Sequence, residues 1–82
     1  MTTKDVTFTV IFEPLENGGY QVTVPAIPEV ITAGRTLEEA REMAQDAIRC
    51  ALEGLIQEGQ PLPEDIIREP LTEKLRVSLK VA

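Results

Sequence analysis

The stretch from Thr36 to Pro61 constrains the fold more than any other part of the chain. Thr36-Leu37-Glu38-Glu39 has the form of a capping box, in which the threonine hydroxyl accepts from the third helical amide and the glutamate answers back to the cap. Beyond it, at about 100° per residue, Leu37, Ala40, Ala44, Ala47, Ile48, Ala51 and Leu55 share one stripe, and Glu38, Glu39, Glu42, Asp46, Arg49, Glu53 and Gln57 share the opposite face. Gly59 and Pro61 supply the stop, so the spacing predicts one helix over residues 37–58. An alanine-rich stripe lets whatever it packs on approach closely. In a chain of 82 residues, read as a single domain over 1–82 because it is too short for two independent cores, that partner is a sheet built from the rest of the sequence.

The sheet is visible as alternation. Val6, Phe8, Val10 and Phe12 point one way and Thr7, Thr9 and Ile11 the other, which predicts a first strand over 6–12. Asn17-Gly18-Gly19 is a reversal signal, and Tyr20, Val22 and Val24 resume the alternation, completing a hairpin. Pro25 and Pro28 bracket a bend at a sheet edge, Val30-Ile31-Thr32-Ala33 reads as a third strand, and Gly34 closes it. After the helix, residues 60–73 form a connector with three prolines and a short turn around Glu64-Asp65-Ile66-Ile67. Leu75, Val77, Leu79 and Val81 then alternate as a fourth strand. The fold class expected is α+β in the chain order β-β-β-α-β, with the fourth strand parallel to the first and the sheet ordered 3-2-1-4.

Charge excludes several functions. The chain carries 14 acids against 8 bases and no histidine, which removes the usual general base and a common metal ligand. Residues 36–69 hold nine acids and three bases, so the helix and the connector carry the whole net charge of −6. Such a chain binds nucleic acid poorly and is steered toward a basic protein. The acidic face reads either as a solvated surface that keeps a small domain soluble or as a docking face for a cationic partner. Lys74, Arg76 and Lys80 on the fourth strand have no interleaved aromatics and read as a guard against edge-to-edge pairing. A domain this small is marginal alone, so a homo-oligomer or a protein partner is expected.

The β-β-β-α-β plan resembles that of ribonuclease H, whose chemistry needs acids converging on a metal. Here Asp5 and Glu13 lie at opposite ends of the first strand, Glu42 and Asp46 face outward on the helix, and the fourth strand ends in Lys80-Val81-Ala82. No metal site, cofactor or catalytic residue is expected, and Gly18-Gly19 leads into a strand rather than the helix start that a phosphate loop needs. Cys50 has no cysteine partner, reads as a small core or boundary residue and fits a cytoplasmic setting, as does the absence of a leader or membrane span. Gly54 inside the helix implies close backbone packing. Ile56 is a large aliphatic among polar residues, explained by fraying of the helix end or a fold-back of residues 60–67, or else part of an interface.

Taken in order, Gly18-Gly19-Tyr20-Gln21-Val22-Thr23-Val24-Pro25, the Ile27-Pro28 bend, Gly34-Arg35-Thr36-Leu37-Glu38-Glu39-Ala40, and Leu52-Glu53-Gly54-Leu55 followed by Glu58-Gly59 and Leu62-Pro63 closely resemble the HicB-like antitoxin family over about residues 6–64. The resemblance implies a partial ribonuclease-H-like fold without the nuclease's metal site. It also implies a partner: HicA, a small basic RNA-cleaving toxin, inhibited by direct contact. Ala26, Glu29 and Arg35 stand where the family often has aspartate, glycine and aspartate, which puts loop-borne functions in doubt. Longer relatives append a DNA-binding domain, and only Ala82 follows the fourth strand here, so no direct DNA binding by this chain is expected. The expectation is a non-enzymatic, homo-oligomeric, cytoplasmic antitoxin module, with Glu38, Glu42, Asp46, Glu53 and Ile56 as partner contacts chosen by helix phase. The rival expectation is a solitary regulatory module that binds a ligand or another protein through its open sheet face or a subunit interface.

Overall fold

In the computed structural model, which describes residues 5–68 and 71–80, the elements follow in the order β1 (Ile11–Pro14), β2 (Tyr20–Thr23), β3 (Ile31–Gly34) and α1 (Leu37–Gln57). The class is α+β, an antiparallel sheet ordered β1-β2-β3 with the helix on one face. Pairing runs from Ile11↔Thr23 to Pro14↔Tyr20, and from Tyr20↔Gly34 to Thr23↔Ile31. Alternation therefore sets Phe12, Val22 and Thr32 on the helix side and Ile11, Thr23 and Ile31 on the other.

The hairpin forms where Asn17-Gly18-Gly19 places it. The Gly18 amide donates to the Leu15 carbonyl and the Leu15 amide to the Gly19 carbonyl, both at 3.0 Å. Gly18 and Gly19 have φ of +89° and +85°, the left-handed region that favours glycine. The first strand, however, is shorter and later than the expected 6–12. At Pro25 the second strand leaves the sheet through two successive turns, Ile27 amide to Val24 carbonyl and Val30 amide to Ile27 carbonyl, so residues 6–10 have no β2 backbone opposite them. Phe8 and Val10 still pack inward against the core cluster of Val24, Ile27, Val30 and Leu52.

Both helix ends follow from the sequence. The Thr36 hydroxyl accepts from the Glu39 amide at 3.0 Å, whereas no return bond from the Glu39 carboxylate to the cap forms among the described residues. At the other end the Gln60 amide reaches back to the Leu55 carbonyl and the Gly59 amide to the Ile56 carbonyl, with Gly59 at φ +71°. That paired closure satisfies carbonyls which the helix itself leaves open. Ala40 and Ala44 are buried against Val22, as the alanine stripe requires, and Leu52, which the stripe omitted, is the third buried residue of the helix.

The close backbone approach sits at Gly34 rather than Gly54. A Cβ on Gly34 would lie 2.4 Å from the Ala40 nitrogen and 2.6 Å from its Cα, while one on Gly54 would meet nothing within 4 Å. Cys50 is exposed, not a core residue.

Among the described residues no fourth strand pairs with the sheet, so the expected 3-2-1-4 order is seen only in its three-stranded part, β1-β2-β3. Residues 71–80 belong to no strand, with Leu75, Val77 and Leu79 at 78%, 73% and 80% exposure; Val81 lies outside the described residues. Alternation reports a strand with one apolar face but says nothing of which edge it pairs with. Nor does a turn form at 64–67. Instead both carboxylate oxygens of Asp65 are held by Thr9, one by its amide and one by its hydroxyl, each at 2.7 Å.

Candidate protein-interaction site

Two surfaces emerge from the way α1 lies on the sheet. It packs on β3 and β2 and hardly touches β1. Its outward ridge carries Glu38, Glu42 and Asp46, all exposed. Among the described residues one ion pair forms, Arg49 to Asp46 at 3.0 Å, with both side chains well exposed. Such a pair is worth at most a few tenths of a kcal/mol, so the ridge presents its charge to solvent.

The second surface is a groove between the flank of α1 and the segment that leads into β1. Phe8, Val10 and Phe12 line one wall, Ile48, Leu52 and Ile56 the other. Ile56 is 62% exposed, so the expected fold-back of residues 60–67 does not cover it. Glu53 lies on the same wall. The five expected contact residues thus divide: Glu38, Glu42 and Asp46 stand on the ridge, and Glu53 and Ile56 belong to the groove. Arg41, Gln45 and Arg49, which also line the groove, escaped the sequence reading because polar residues at those positions look like ordinary solvated surface; Ile56 was the one available signal.

Beside the groove, Asp65 clasps the connector to the edge segment. The Thr9 amide, then the Thr9 hydroxyl and the Ile66 amide, hold its carboxyl below the usual 3.8 because each donates to the charged form. Among the described residues no three acidic, cysteine or histidine side chains converge on a possible metal position. Among the described residues no helix is long and apolar enough to cross a membrane.

The family model for the HicB_like antitoxin of bacterial toxin-antitoxin systems matches residues 8–75. The chain belongs to the HicB-like antitoxin family. Antitoxin HicB 1 of Photorhabdus laumondii is 41% identical over 95% of the chain and 52% of its own length. A UPF0150 protein of Thermoplasma acidophilum is 39% identical over 76% of the chain and 90% of its own length. Antitoxin HicB of Escherichia coli K12 is 36% identical over 68% and 41% respectively. The chain therefore spans about half the length of the two HicB antitoxins. The family match confirms the resemblance read from the glycine, cap and proline motifs, and includes the groove walls named above, the ridge and the first half of the segment 71–80.

Proposed function

We propose that the chain is the toxin-binding module of a HicB-like antitoxin, neutralising a small basic HicA-type mRNA-cleaving toxin by protein–protein contact. It does so without catalysis of its own, in the cytoplasm and as a homo-oligomer, with a partial ribonuclease-H-like sheet completed by residues 71–80. Family membership supports the class of partner. The observation that carries the mode of contact is the exposed ridge of Glu38, Glu42 and Asp46, whose single ion pair leaves the net charge negative. A basic ribonuclease is drawn to such a ridge and masked on the surface it would present to RNA.

The test is association kinetics with a purified HicA-type toxin. Reversing Glu38, Glu42 and Glu53 to lysine is expected to slow association by about tenfold or more at low salt, the range over which charge steers encounter. The difference is expected to fade near 1 M salt, where screening acts over roughly 3 Å. Equal association rates at low salt would remove the helix from the mechanism. A second reading, a solitary module that binds through the open sheet face, is favoured by Ile31, which is 66% exposed on that face. Absence of toxin binding by the folded chain at low salt, with binding of another protein that is lost on Ile31→Asp, would select it.

A further inference from the structure

We infer that residues 71–80 form the missing strand of a second copy of this chain, entering the groove beside β1 in a reciprocal exchange. Three observations point there. The groove is short of one strand: α1 overhangs the β1 side of the sheet, Phe8, Val10 and Phe12 face Ile48, Leu52 and Ile56 across it, and among the described residues no strand pairs with the outer edge of β1. The chain also owns a strand with no sheet. Leu75, Val77 and Leu79 form one apolar face and Lys74, Arg76, Ser78 and Lys80 the other, all of them exposed. At roughly 3.3 Å per residue, 71–80 spans about 33 Å and the edge segment 5–12 about 26 Å, so the strand covers the groove end to end.

The third observation concerns placement. Leu62 packs into the core and Asp65 is fastened to Thr9, so the connector is anchored at its own edge segment, yet residues 71–80 are exposed throughout and none of them lines the groove, in a molecule 71 × 25 × 18 Å in extent. A strand held outside its own groove is placed to reach another. Because donor and acceptor are the same sequence, two copies related by a two-fold axis fill both grooves at once and leave neither apolar strand in water. The strand's cations still guard the new outer edge. This inference stands independently of the toxin reading, since it concerns the chain alone.

The experiment is done on the full chain without toxin. A copy labelled with carbon-13 and nitrogen-15 is mixed with an unlabelled copy, and sedimentation is read together with isotope-filtered NOEs and amide exchange. Expected are a dimer of twice the 9.1 kDa chain mass, NOEs from the Leu75, Val77 and Leu79 methyls of one copy to Phe8, Ile48 and Leu52 of the other, and protected amides over 74–80. Leu75→Asp with Leu79→Asp is expected to yield a monomer whose far-ultraviolet helix signal persists. A monomer with those NOEs inside one copy would overturn the exchange in favour of closure on its own groove. Freely exchanging amides over 74–80, in monomer or dimer, would overturn it too.

Discussion

Gly34→Ala and Gly54→Ala make the same chemical change and are expected to have opposite effects. At Gly34 the new methyl would stand 2.4 Å from the Ala40 nitrogen, 2.6 Å from its Cα and 2.9 Å from the Glu39 carbonyl carbon. These are backbone atoms of the first helical turn and cannot rotate away. Restoring ordinary contact near 3.4 Å means lifting that turn by about 1 Å, a gap that forfeits a quarter to a half of the dispersion well for every atom pair across it. Ala40, Ala44 and Val22, at 0%, 2% and 0% exposure, share that contact. Overpacking of this kind costs about 1–3 kcal/mol or more, against a total stability of about 4–12 kcal/mol for a domain this size. With a urea slope of about 1 kcal/mol/M for so small a chain, the midpoint followed by circular dichroism should fall by roughly 1–3 M. Gly54 is a helix-interior position where an added Cβ meets nothing within 4 Å, so alanine there should raise stability by about 0.5–1 kcal/mol. An unchanged midpoint for Gly34→Ala, or a lowered one for Gly54→Ala, would refute the packing geometry.

Other substitutions test the remaining joints. Leu52→Ala removes the helix's largest buried side chain from the core cluster and is expected to cost about 2–5 kcal/mol; a loss under 1 kcal/mol would mean the groove wall collapses freely. Thr36→Ala deletes the hydroxyl that accepts from the Glu39 amide and should cost about 1 kcal/mol, read as a lower urea midpoint. Asp65→Asn probes the clasp on Thr9. Its carboxyl is lowered below 3.8 in the folded state, so its stabilisation is fully present above that value and is lost as pH falls through the folded value. The midpoint gap between wild type and Asp65→Asn should therefore be open at pH 6 and narrow toward pH 2; a gap that widens on acidification would reverse the assignment.

The readable parts of this fold were those written in local chemistry. Thr36, Glu39, Gly59 and the 100° periodicity placed the helix within one residue of its observed end, because caps and stops act over three or four residues. Asn17-Gly18-Gly19 did the same for the hairpin. What escaped was set by contacts distant in sequence. Asp65 meets Thr9 across 56 positions, and neither residue looks unusual in its own neighbourhood. Gly34 is crowded by Ala40 only because the chain doubles back into the helix, whereas Gly54, the more conspicuous glycine, has open space. The alternation of Leu75, Val77 and Leu79 was legible, yet alternation carries no address, and residues 71–80 pair with no strand among the described residues. Of the site, the acidic ridge was legible from helix phase. The groove was not, because its polar lining looks like solvated surface and its floor belongs to a segment that pairs with nothing opposite Pro25.

The central claim, that this chain silences a basic ribonuclease by covering it, is tested most directly by titrating the purified chain into RNA cleavage by a HicA-type toxin at fixed RNA. Cleavage should fall linearly and end at a stoichiometric ratio of chain to toxin, and the Glu38, Glu42 and Glu53 reversals should shift that titration to higher concentration at low salt. Undiminished cleavage at a tenfold excess of folded chain would contradict it.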